Sequence, residues 1–157
     1  MACEFLFNPV QSVALNAPIL FDTSIPCNRG NVYHEGQTGN FILKGARSNN
    51  GCNCNQFAQY QVTFNGNIAI PTGGTAGGPI AVAIAVNGEP RLTSRAIITP
   101  AAVEEYGNVT STAIIKVPKC CCFSLSVDAV PATTDPTVTP APVINVQNAN
   151  LTITRIS

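Results

Sequence analysis

Seven cysteines are the side chains best suited to chemistry in this chain: Cys3, Cys27, Cys52, Cys54, Cys120, Cys121 and Cys122. A zinc site wants four tetrahedral ligands, with two or more residues between paired cysteines. Cys52-Asn53-Cys54 and the run from Cys120 to Cys122 do not fit that spacing, so no metal is expected. In an extended strand Cys120 and Cys122 share one face and Cys121 takes the other. The number is odd, and a reducing cytosol works against disulfides during folding. Two readings stay open for all seven. They are free, partly buried thiols packing as small hydrophobes, or they form disulfides after release, within or between chains. The free-thiol reading is the plainer one.

His34 is the single histidine, so a hydrolase of the Ser-His-Asp or Cys-His kind would have to use it. It stands between Tyr33 and Glu35, before Gly36, with no serine or cysteine close in sequence. That reads as an exposed loop residue. Glu104 and Glu105 are adjacent, point apart, and suit no glycosidase pair. Asp22, Asp128 and Asp135 are scattered, without the alternation of a calcium loop. Gly73 to Gly78 is glycine-rich, but a strand follows it. A phosphate cradle needs a helix N-terminus there. No catalytic residue and no cofactor is expected, and the titratable groups are few and dispersed.

Composition points the same way. A chain of 157 residues suits one domain, and 45% apolar residues suffice for a core. Only 10% are charged, eight basic against eight acidic, where about 25% is usual. No basic footprint exists for nucleic acid or for an anionic membrane surface. No run approaches the roughly 18 apolar residues of a membrane span. The start, Met1 to Pro9, lacks the basic opening of a secretory signal. The expectation is a protein made in the cytoplasm. So few charges protect a free monomer poorly from association, which suggests a subunit of an assembly.

The elements that must position these residues read as strands. Tyr60, Val62 and Phe64 alternate with Gln61, Thr63 and Asn65, a half-buried strand. Ile80, Val82, Ile84 and Val86 lie on one face of the next strand, and Ala81, Ala83 and Ala85 on the other. A strand apolar on both faces is covered on both, here by a loop of its own chain or by another subunit. Asn87-Gly88 is a strong hairpin signal, with Arg91 to Thr99 returning as the partner. Further strands are expected within Gln11 to Phe21 and at Asn40 to Lys44, Thr110 to Val117 and Cys122 to Val127, with one or two final strands over Val143 to Val146 and Leu151 to Ile156. Pro131 to Pro142 reads as an extended surface loop. The one helical candidate, Pro100 to Tyr106, is a turn or two. About eight short strands imply a sandwich or jelly roll.

The order of these features resembles the trimeric jelly rolls of the tumour-necrosis-factor (TNF) and complement-head superfamily. The matching features are Phe21-Asp22, the turn Asn28 to Asn31 with Tyr33, and Gly39-Asn40-Phe41. They continue with the aromatic strand Tyr60 to Phe64, the strand Ala81 to Gly88, the pair within Ser111 to Val127, and the closing strand Leu151 to Ile156. Phe57-Ala58-Gln59-Tyr60 departs from the complement heads, which carry Gly-x-Tyr there. More narrowly, Met1 to Cys3, Asn8 to Val10 and Cys120 to Cys122 are similar to short structural proteins of Firmicutes and their phages. The same jelly roll caps collagen-like filaments on spores, but this chain has no Gly-X-Y stalk.

The resemblance implies an all-β, antiparallel jelly-roll β-sandwich, TNF-like and homotrimeric. The expected interface is the Ala81, Ala83 and Ala85 face, Tyr60 and Phe64, or both. Residues 1–10 are expected as an anchoring arm, with Phe5, Leu6 and Phe7 docking on a capsid or other assembly, and residues 11–157 as the jelly roll. The implied function is non-enzymatic: a bacteriophage virion protein, decorating the capsid or forming a head fibre. The loops Arg47 to Asn55 and Pro131 to Pro142 are candidate contacts for host-surface glycans. The alternatives are a spore-surface or extracellular filament subunit crosslinked by cysteines, and a carbohydrate- or receptor-binding module.

Overall fold

The computed structural model describes residues 2–25, 30–46 and 56–157. The description contains twelve strands and one short 3-10 turn. They are β1 (Ala2–Phe7), β2 (Gln11–Ala14), β3 (Thr23–Ile25), β4 (Val32–His34), β5 (Phe41–Lys44), β6 (Phe57–Ala69), β7 (Ile80–Val86), β8 (Glu89–Pro90), β9 (Ala96–Ile98), β10 (Gly107–Pro118), β11 (Cys122–Val130) and β12 (Val143–Arg155). One sheet runs β10-β6-β12-β1-β3, with β2 also on β12. The other runs β4-β5-β11-β7-β8, with β9 also on β7. Every strand pairing is antiparallel.

Period-two alternation builds the core between the two sheets. Ala58, Tyr60, Val62 and Phe64 of β6 are buried, as are Ile80, Val82 and Ile84 of β7 and Leu125 and Val127 of β11. Phe21, Phe41, Leu151 and Ile153 fill the space among them. The Asn87-Gly88 turn joins Val86 directly to Glu89. Both turn residues have positive φ, 53° and 81°, as the favoured two-residue hairpin turn requires.

Three sequence expectations need correction. The supposed arm is strand β1, paired with β12 from Ala2↔Thr154 to Phe7↔Ala149 and with β3 on its other side. Phe5 is only 4% exposed, because an apolar, alternating segment finds a partner edge in its own chain. Arg91 to Thr99 is broken into a 3-10 turn (Leu92–Ser94) and β9. The Ser94 hydroxyl accepts the Ile84 N–H at 3.0 Å, replacing a ladder bond. Pro100 to Tyr106 forms turns and bends, not a helix, and Glu104 sits at φ +59°. Of the one or two final strands expected, the structure shows one, Val143 to Arg155, with a bulge between Gln147 and Asn150, where Asn148 takes φ +55°.

Candidate functional site

The two ends of the sandwich differ in chemistry. At the end where β6 finishes, the Gly-rich loop meets the Pro-rich loop in a cleft of about 500 Å³. Ile70, Pro71 and Thr72 form one wall with Gly74 and Thr75, and Thr139 to Val143 form the other. No charged side chain lines it. Such a volume is typical of small-ligand pockets. The Gly-rich segment is therefore one wall of a cleft, not merely a hairpin tip. Gly73 and Gly77 take φ of +93° and +87°, and a Cβ on Gly74 would lie 2.6 Å from Ile70 Cγ2.

Glu104 clasps this loop. Its Oε1 accepts the Thr72 N–H at 2.9 Å, the Thr72 hydroxyl at 3.1 Å and the Asn145 amide at 3.2 Å. Its Oε2 accepts the Tyr106 hydroxyl at 3.3 Å. The Thr72 backbone bond, above all, holds the Glu104 carboxyl below the ordinary carboxylate range. Burial pushes the Tyr106 phenol up. Glu105 turns away and caps the Ala102 N–H at 3.0 Å. The adjacent pair thus divides, as its geometry requires. Sequence reading missed Glu104 as a hub because its partners come from residues 72, 106 and 145.

The opposite end carries the sulfur. Cys3 (buried) and Cys120 (exposed) are each in a disulfide. Cys121 and Cys122 are free and exposed. The free-thiol reading therefore fails for Cys3 and Cys120, whereas Cys121 and Cys122 carry no bond within the chain. Neighbours in sequence cannot bridge easily, since their Cα atoms are about 3.8 Å apart and a disulfide wants about 4.4 Å or more. Cys27, Cys52 and Cys54 lie outside the described residues, as does the whole loop Arg47 to Asn55. The turn holding the run is pinned by Cys120 N–H to the Ala46 carbonyl (3.3 Å), Cys121 N–H to Pro118 (3.1 Å) and Gly45 N–H to Cys121 (2.8 Å). Cys120 itself sits at φ +65°.

The expected interface residues are not on a surface. Tyr60, Phe64, Ala83 and Ala85 are fully buried, and Ala81 nearly so. Tyr60 and Phe64 face the core, and the Tyr60 hydroxyl donates to the Lys44 carbonyl at 2.5 Å. Ala81 and Ala83 pack with Val130 and with Ala132, at the start of the Pro-rich loop. A loop of the same chain covers the alanine face. Asp128 lies on that face opposite Ala83. It is 8% exposed, accepts the Ser126 hydroxyl at 2.7 Å, and is pushed up by burial. His34 is not an open loop residue either. It stacks on Phe41 with centroids 4.5 Å apart, meets the edge of Phe5, and its Nε2 lies 2.8 Å from the Thr38 carbonyl. Phe5 is packed in the core, while Leu6 and Phe7 are half-buried.

What remains outside is informative. The outward face of the β10-β6-β12-β1-β3 sheet carries rows of Thr and Asn, with Glu4 closing the first row and Lys116 exposed on β10. One is Thr112, Thr63 and Thr152, and the next is Thr110, Asn65 and Asn150. Asn108 and Thr110 donate to Asn65, and Asn150 donates to Glu4 at the far side. The edge where β9 and β10 come together exposes large apolar groups: Leu92 at 52%, Ile97 at 47% and Ile114 at 44%. The Arg91 guanidinium donates to the Ile114 carbonyl and ties this edge together.

No protein-family model matches the sequence, and no curated protein does. Among solved structures, the fold is similar to the globular domain of zebrafish complement 1qA protein, with 12% identity, a TM-score of 0.59, and coverage of 99% of this chain and 97% of that one. It is similar to Eiger TNF from S. frugiperda, with 10% identity, a TM-score of 0.62, and coverage of 100% and 92%. It is also similar to murine APRIL, with 9% identity, a TM-score of 0.57, and coverage of 99% and 100%. The chain thus has the all-β, antiparallel jelly-roll sandwich fold seen in TNF-like and complement-head proteins.

Proposed function

We propose that this protein is a non-enzymatic structural subunit that forms a homotrimer and serves as a bacteriophage virion protein, decorating a capsid or forming a head fibre. One observation carries the self-association: the apolar β9–β10 edge stands beside a broad sheet face of Thr and Asn with few charges. An apolar edge and a different, charge-poor face make a head-to-tail contact, and such contacts close into rings when the rotation allows. Fold likeness to TNF and complement 1qA proteins supports three as the number. The virion setting rests on the resemblance at Met1 to Cys3, Asn8 to Val10 and Cys120 to Cys122. Docking to a capsid then falls to an outer surface, because β1 is committed to the sandwich. A binding role is a second reading, favoured by the cleft at the Gly-rich end. Its Thr hydroxyls and backbone groups suit a neutral ligand such as a host-surface glycan, though no aromatic ring lines it for sugar stacking.

Light scattering at fixed concentration, with and without reductant, tests the assembly. A trimer of 16.4 kDa chains, about 49 kDa, is expected in reductant. Ile114→Glu should yield a folded monomer. A wild-type monomer at tens of micromolar refutes the proposal.

A further inference from the structure

We propose that Cys121 and Cys122 form a thiol–disulfide exchange site that joins one copy of the chain covalently to the Cys120 disulfide of another. Three consecutive sulfurs are held at one end of the sandwich in a turn fixed by backbone bonds from Cys120, Cys121 and Gly45. Gly45 is packed so tightly there that a Cβ would collide with the Pro118 carbonyl oxygen. Cys121 and Cys122 are free and exposed, and Cys120 is bonded and exposed. A nucleophile and its target therefore occupy the same accessible turn.

Within one chain, attack by Cys121 on Cys120 is disfavoured. Attack by Cys121 on its own Cys120 would need a bridge between sequence neighbours, whose Cα atoms are about 3.8 Å apart, short of ordinary disulfide geometry. The same holds for Cys121 with Cys122.

The step balances without an oxidant. The Cys121 or Cys122 thiolate of one chain attacks Cys120 Sγ of the other, and a new S–S bond joins the chains. The old S–S bond breaks. Its electron pair leaves on the sulfur of the cysteine that had been bonded to Cys120, which takes up the proton given up by the attacking thiol. One thiol is consumed and one is released, so the link propagates from copy to copy. Access decides which disulfide reacts, and the buried Cys3 is shielded.

The test uses the full-length protein, purified without reductant and concentrated under anaerobic conditions. Samples are quenched with N-ethylmaleimide, run on non-reducing gels, and titrated for thiols after denaturation. Covalent dimers and larger species should appear, faster at higher pH because the thiolate attacks, with the thiol count per chain unchanged. The Cys121→Ser/Cys122→Ser double variant should stay monomeric on the gel with an unchanged melting temperature. Three results overturn the proposal: no covalent species in the wild type, covalent species in the double variant, or the loss of two thiols for each link formed, which is oxidation.

Discussion

Truncating Phe5 separates a docked strand from a free arm. The ring lies against Phe41 with centroids 4.5 Å apart and against His34 at 5.2 Å. Removing a buried phenylalanine side chain typically costs about 3–5 kcal/mol, transfer and cavity terms together. Unfolding entropy of about 2.1 cal/mol/K per residue gives a chain of 157 residues roughly 0.33 kcal/mol/K. Phe5→Ala should therefore lower Tm by about 9–15 °C. Leu6, next along β1, points to the opposite face and is half-buried, so Leu6→Ala should cost about 1 kcal/mol or less, near 3 °C. The assay is thermal unfolding followed by circular dichroism, at one protein concentration because self-association adds to apparent stability. The alternation is the discriminating feature. Equal small shifts for both variants would mean that residues 2–7 are not part of the sandwich, and the β1 assignment would fall.

Asp128→Asn should stabilise the protein at neutral pH. Burial raises the folded-state pKa of Asp128 above its unfolded value of 3.8, so its favourable contribution is present below that value and lost as pH rises through the folded pKa. The gain in urea midpoint at pH 7 should fade by pH 3. Glu104 has the opposite sign. Its folded pKa is lowered from 4.5, so its contribution is present above that value and lost as pH falls through the folded pKa. Glu104→Gln should speed amide exchange at Thr72 to Gly78 at pH 7, and the difference from wild type should shrink in acid. Gly45→Ala places a methyl against the Pro118 carbonyl, a backbone atom that cannot swing away. It should cost about 1–3 kcal/mol, read as a lower urea midpoint.

Fold class was legible because one pattern dominates. Period-two alternation in β6 and β7 survives in the structure residue by residue, and Asn87-Gly88 turns where its dipeptide says it should. Errors arose where a side chain or a distant strand intervened. The Ser94 hydroxyl replaced a ladder bond and broke the expected return strand. Two apolar segments were assigned to partners outside the chain for a shared reason. Apolar alternation shows that a face is covered but not by what, and here Ala132 and the β1–β12 pairing supply the cover from within the chain. The Glu104 hub was invisible for another reason: its partners are 32 and 41 positions away, and only folding brings them to one carboxylate.

The longest strand decides how these features can work together. β6 has 13 residues, and at about 3.3 Å per residue it spans roughly 43 Å. Lys119, beside the cysteine run, bonds to Gln56 just before β6 begins, and Ile70, which lines the cleft, follows directly after it ends. Cys3 lies nearer the middle of the sandwich, since it pairs with Ile153, which pairs with Val62. A covalent link made through Cys121 therefore cannot reach the cleft or the Glu104 clasp. The apolar β9–β10 edge lies along the side, between the two ends. Side-to-side association, end-linking through sulfur and ligand contact at the far loops use separate surfaces. Alkylating Cys121 and Cys122 should leave both the trimer and the exchange behaviour of the Thr72 to Gly78 loop unchanged. A change in either would show that the two ends are coupled through β6.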